Sequence, residues 1–147
     1  RGGEATLNTQ FNLSQATKIS GWAHYSYTRS TKEQITNGGN TAELHKQLIY
    51  TPYHQGKASI QLDHRRWQWG LTSSYIGEQF TNAGNSQVLP AYTTTDLSLK
   101  YDWRINPDHR LDFTGSLNNI FNQAYEVRQG FPMPGRNYQV SITYQFN

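Results

Sequence analysis

The stretch Tyr138-Gln139-Val140-Ser141-Ile142-Thr143-Tyr144-Gln145-Phe146 decides the fold. Tyr138, Val140, Ile142, Tyr144 and Phe146 alternate without a break against Gln139, Ser141, Thr143 and Gln145. A period of two puts one set on each face of a strand, whereas a helix would space its apolar residues by three and four. Working back along the chain, the same rhythm returns in 110–119 (Leu111, Phe113, Gly115, Leu117) and 93–103 (Leu97, Leu99, Tyr101, Trp103). It continues in 56–64 (Ala58, Ile60, Leu62), 18–30 (Ile19, Gly21, Ala23, Tyr25, Tyr27) and 4–13 (Ala5, Leu7, Phe11, Leu13). Residues 67–80 fit less cleanly, because Ile76 and Phe80 fall on the polar side; in 18–30, Trp22 does the same.

Composition agrees with strands that have one wet face. Aromatic residues make up 14% of the 147 residues and charged residues only 16%. Disordered chains are poor in aromatics and rich in charge, so disorder is excluded. Ser, Thr, Asn and Gln contribute 51 residues, a poor recipe for a helical bundle. The mean hydropathy of −0.81 is no argument against a membrane, because only alternate residues of a barrel strand face lipid. There is no cysteine, hence no disulfide framework or thiolate metal site. A net charge of +3, spread along the chain, gives no basic patch for nucleic acid.

Strand length and loop rhythm separate a membrane barrel from a soluble sandwich. Segments of this length suit tilted strands crossing a bilayer, whereas soluble strands cluster near five or six residues. Aromatics gather at segment ends (Tyr25 and Tyr27, Trp67 and Trp69, Tyr101 and Trp103), where interfacial girdles lie. The connections 14–17, 31–55, 65–66, 81–92, 104–109 and 120–137 run short, long, short, long, short, long. Periplasmic turns and outer loops alternate in this way. The expected fold class is therefore all-β: an antiparallel transmembrane β-barrel segment. Seven strands are odd in number and too few to close a bacterial barrel, so a larger barrel is expected, with residue 1 on its outer side.

Three further segments carry a family resemblance. They are Leu89-Pro90-Ala91-Tyr92-Thr93 with Asp96-Leu97-Ser98-Leu99, Leu117-Asn118-Asn119-Ile120-Phe121-Asn122 with Tyr125-Glu126, and Gly130-Phe131-Pro132-Met133-Pro134-Gly135-Arg136-Asn137-Tyr138. Together they resemble the C-terminal end of TonB-dependent outer-membrane receptors. Tyr75-Ile76-Gly77-Glu78-Gln79-Phe80 and Thr51-Pro52-Tyr53-His54 fit the same family more loosely. The resemblance implies that 1–147 is the C-terminal part of a plugged, roughly 22-stranded barrel. It implies active import of a scarce ligand across the Gram-negative outer membrane, cobalamin ahead of siderophore or haem. The implied partners are the N-terminal remainder of the barrel with its plug domain, the TonB complex acting through a TonB box there, outer-membrane lipid and a surface lipoprotein. Asn147 after Phe146 departs from the family's aromatic ending.

Candidate site residues divide between two regions. Tyr53, Asn82, Asn85, Tyr125, Arg128 and Phe131 lie in or beside outer loops and are the expected ligand contacts. Asp96, Lys100, Asp112 and Asn118 fall on the polar side and are expected to face the plug, with Asp63, Glu78 and Asp102 beside them. His24, His45, His54, His64 and His109 lack metal-ligand spacing, and only the family analogy offers His45 or His54 to haem. Asn37-Gly38-Gly39-Asn40 is a turn former, and Arg65-Arg66 would meet solvent or lipid head groups. With no nucleophile motif, neither catalysis nor a cofactor is expected. The alternatives are a porin or adhesin barrel fragment, and a soluble β-sandwich binding carbohydrate through exposed aromatics.

Overall fold

The computed structural model describes residues 1–34 and 40–146. The strands are β1 (Gly2–Ser14), β2 (Thr17–Thr28), β3 (His54–His64), β4 (Trp67–Ile76), β5 (Gln79–Phe80), β6 (Val88–Leu89), β7 (Tyr92–Asn106), β8 (His109–Asn118), β9 (Glu126–Arg128), β10 (Phe131–Pro132) and β11 (Asn137–Phe146). Seven of them form one antiparallel sheet in the order β1-β2-β3-β4-β7-β8-β11. β5 with β6 and β9 with β10 form two small hairpins outside it.

Register turns seven alternating strands into one two-faced sheet. Phe11, Ile19, Leu62, Trp69, Leu99, Gly115 and Val140 are successive cross-strand partners and so form one apolar row. One position along, Asn12, Lys18, Asp63, Gln68, Lys100, Thr114 and Ser141 form a polar row. A slip of one residue at any junction would interleave the two. The apolar face is bare: Leu7, Ile60, Leu71, Leu97, Val140 and Ile142 are all exposed. Among the described residues, the only buried apolar side chain is Leu89, in β6. No second layer of described residues covers the sheet, which removes the sandwich alternative.

Aromatics mark both ends of that bare face. Near the short turns, Trp67 stacks on Trp69 and lies 4.4 Å from Tyr101, and Trp103 stacks on Phe113. At the other end, Tyr25 and Tyr27 stack on His54 and Tyr53. From Trp67 to Tyr75, β4 advances about 27 Å at ~3.4 Å per residue. A tilt of about 40° reduces this to roughly 21 Å, close to the apolar band of a barrel.

Several boundaries differ from the sequence expectation. The strand expected over 67–80 stops at Ile76, where its pairing with β7 ends at Tyr92; the Gly77 N–H still reaches the His54 carbonyl at 2.8 Å, in register with β3. A Cβ at position 77 would lie 2.8 Å from that oxygen. Phe80, which broke the alternation, belongs to β5 and meets Tyr53 edge-on. Glu78 accordingly lies in a loop and not on the polar face. β7 runs on to Asn106 through a register shift, leaving only Pro107 and Asp108 as the turn. His54 opens β3 instead of lying in the first outer loop. The expected Asn37-Gly38-Gly39-Asn40 turn lies outside the described residues apart from Asn40, which caps the short 3-10 helix Thr41–Glu43. Asn147 lies outside them as well.

The bare face makes a directional prediction. In the intact barrel, Ile60→Arg should destabilise the folded state by about 2–4 kcal/mol, and neighbouring Gln61→Arg by less than about 1. Urea unfolding in lipid vesicles measures both. Equal losses would contradict the face assignment.

Candidate functional site

The three long connections lie at one end of the sheet: loop 29–53, loop 77–91 and loop 119–136. They are tied together. Gln47 is 2% exposed and sits where the first two meet. Its Oε1 accepts from the Ser30 N–H, and its Nε2 donates to the carbonyls of Thr28 and Thr51. Its own backbone N–H and carbonyl are held by the Asn85 amide at 2.8 and 2.9 Å. Tyr50 donates its N–H to Phe80, and the Arg128 guanidinium lies 5.8 Å from the Tyr50 ring centre. That cation–π contact joins the third loop to the first.

The third loop is anchored by its asparagines. Asn119, 3% exposed and at φ 50°, gives its N–H to Asp96 and closes a side-chain ring with the Gln123 backbone. Asn122, at φ 53°, accepts from the Arg136 N–H. Asparagine tolerates the left-handed region where most residues lose about 1–2 kcal/mol. The stretch that carried the family resemblance is therefore a loop-anchoring device.

The expected ligand contacts divide accordingly. Asn85 clamps Gln47, and Asn82 accepts from the N–H groups of Ser86 and Gln87, so both amides are committed to loop architecture. Tyr53 packs between Tyr27 and Phe80 in the outer girdle. Phe131 is exposed on β10. Tyr125 stacks on Tyr92 with ring centres 4.5 Å apart. By its register with Ile76, Tyr92 shares the polar face with Asp96 and Lys100. Sequence reasoning missed Gln47 and Tyr50, because nothing local distinguishes them from other polar or aromatic residues, and placed Tyr92 only in the segment resembling the family.

On the polar face, Arg110 bridges Asp102 and Asp112 at 2.9 Å each, and Lys100 lies 3.8 Å from Asp112. Asn118 bonds across to Asn137. Gln61 and Gln68 both donate to Asp63. The histidines stay apart, and among the described residues no three His, Asp or Glu side chains gather as metal ligands. His45 lies 3.2 Å from Glu33, and His54 meets the Tyr25 hydroxyl. The Thr31 hydroxyl, assisted by His45, holds the Glu33 carboxyl below its usual range.

Two outcomes follow. Gln47→Ala strands a buried N–H and two carbonyls, at roughly 1–3 kcal/mol. Limited proteolysis should then cut within 29–53 faster, with strand pairing unaffected; an unchanged rate would show that the clamp is redundant. For Glu33, the lowered folded value means its contribution is present above the ordinary carboxylate range and is lost as pH falls through that lowered value. An NMR titration should place the Glu33 midpoint below that of a free glutamate, and Thr31→Val should raise it.

The same architecture recurs in known proteins. The family model described as TonB dependent receptor-like, beta-barrel matches residues 1–120. The segment 130–138 that helped carry the resemblance lies beyond that span. The chain is 28% identical over 103 residues to the vitamin B12 transporter BtuB of Photobacterium profundum, covering 70% of this chain and 16% of that protein. It also superposes on the crystal structure of BauA, the ferric preacinetobactin receptor from Acinetobacter baumannii, with a TM-score of 0.70 and 18% identity. That likeness covers 99% of this chain and 26% of the receptor, and shows the fold. The chain thus spans a small part of the length of each. Bare apolar face, polar face, double girdle and family match agree: the chain belongs to the TonB-dependent receptor β-barrel family of the Gram-negative outer membrane, a family of receptors and not of enzymes.

Proposed function

We propose that this chain forms seven consecutive wall strands and three outer loops of a TonB-dependent importer, at the C-terminal end of its plugged barrel. The observation that carries the reading is the register, which gathers the apolar residues of all seven strands on one uncovered face. Such a face needs lipid. β1 and β11 are the outer members of the sheet order, and unpaired edges in a bilayer cost several kcal/mol per backbone group. The remainder of a barrel is the partner that would pair them.

The ion-paired polar face, with Asp102, Asp112, Lys100 and Arg110, suits contact with a plug and lumen water. Asp96 and Asn118 on the same face also bond within the wall, to the Asn119 N–H and to Asn137. In this mechanism ligand binds outside to loops and plug, and TonB, engaging the plug-bearing part, rearranges the plug so that the ligand passes. Cobalamin is the favoured cargo, supported by the likeness to a protein named as a vitamin B12 transporter; siderophore and haem follow. A surface lipoprotein over the mouth completes the proposed partners.

Uptake tests the proposal. Cells carrying the intact receptor should accumulate labelled cobalamin, and deleting TonB should abolish accumulation while leaving surface binding. Accumulation of a ferric siderophore or haem instead would correct the cargo. Uptake independent of TonB would contradict the importer.

A further inference from the structure

Between the second and third outer loops lies a cleft of about 570 Å³. Val88, Leu89, Pro90, Tyr92, Tyr125 and Pro132 give it apolar walls. Its size falls in the range of small-molecule sites. Leu89 is buried within its wall, and Val88 is exposed at its edge. The Tyr92 and Tyr125 rings lie 30° from parallel with centres 4.5 Å apart. The two loops are independently held, the second by Asn85 on Gln47 and the third by Asn119 on Asp96. The walls are thus fixed before anything binds, which lowers the ordering cost of binding.

The charge of the cleft limits what it can take. Among the described residues, no Lys, Arg or His lines it. Arg128, the nearest cation in sequence, is turned toward Tyr50. Glu126 is the one carboxylate among the described lining residues, and it accepts from the Gly130 N–H at 2.8 Å. An anion entering here would lose water and gain no counter-charge. A flat uncharged ring would stack on tyrosine and displace water from Val88 and the prolines.

We propose that the cleft walled by the Tyr92–Tyr125 pair, Val88 and Pro132 is a binding site for a planar aromatic group without negative charge, which packs against the open side of that pair. This deepens the importer reading and rests on it, because the cleft opens at the mouth of the polar face.

Indole and indole-3-acetate test the proposal, since they present one ring system without and with a carboxylate. Saturation-transfer NMR on the intact, detergent-purified receptor should show saturable indole binding, with indole-3-acetate roughly tenfold weaker or worse. Tyr125→Ala should weaken indole by about fivefold or more, whereas Tyr125→Phe should stay within about twofold. Gln129→Arg adds a cation at the exposed rim and should narrow the gap between the probes, giving a readout even if Tyr125→Ala fails to fold. Equal binding of the two probes, or an indole signal unchanged by Tyr125→Ala, would overturn the site. A heat-dependent shift in gel mobility keeps the two failures apart. Material with no shift is not a folded barrel and counts against the importer reading; a barrel that shifts but fails the probe test counts against the cleft alone.

Discussion

Backbone hydrogen bonding between neighbouring strands is the constraint on which the rest of this structure depends. In a hydrocarbon layer an unpaired N–H or C=O has no water to turn to, so each strand must be satisfied by the next. Once pairing is obligatory, register becomes the variable that matters. The junctions from β1 to β11 set Phe11, Ile19, Leu62, Trp69, Leu99, Gly115 and Val140 side by side. The same registers place Lys18, Asp63 and Lys100 on the opposite face. A sheet with almost no core of its own is then stable in one solvent arrangement: lipid on one side, a polar filling on the other.

The outer loops follow a different logic. They stand outside the apolar band and are held by buried polar contacts instead of by burial of hydrophobic side chains. Gln47 and Asn85 satisfy backbone groups of elements far apart in sequence that would otherwise be orphaned, and the Asp96 carboxylate does the same for the Asn119 N–H. This gives the mouth a fixed shape, with Tyr92 and Tyr125 presented between two anchored loops. Rigid walls around an aromatic surface favour capture of a ligand without ordering the loops anew.

The alternation in 138–146 and the short–long spacing of connections made the sheet legible, because period two is a property of single strands and can be read without knowing their partners. Ile76 and Phe80 lapse from the alternation near the point where β4 ends, yet the strand was read through to 80. The extra length of β7 from Trp103 to Asn106 was overlooked, although Ile105 continues the alternation of Tyr101 and Trp103 in sequence. The site was less legible. Asn82 and Asn85 have the chemistry of ligand contacts, and only tertiary geometry shows their amides bound to loop backbone. Gln47 gave no local signal, and Tyr92 stood out only as part of the segment resembling the family, since their places in the site come from residues 38 and 33 positions away.

The central claim is that one face of the sheet meets lipid and the other does not. Nitroxide labels placed singly at 138–146 of the intact receptor in vesicles, read for collision with oxygen and with a water-soluble nickel complex, test it directly. Oxygen accessibility should peak at 138, 140, 142 and 144 and fall at 139, 141 and 143, with the nickel complex low at the first set. Accessibility without a period of two, or nickel collisions as high at 140 and 142 as at 141, would contradict the account.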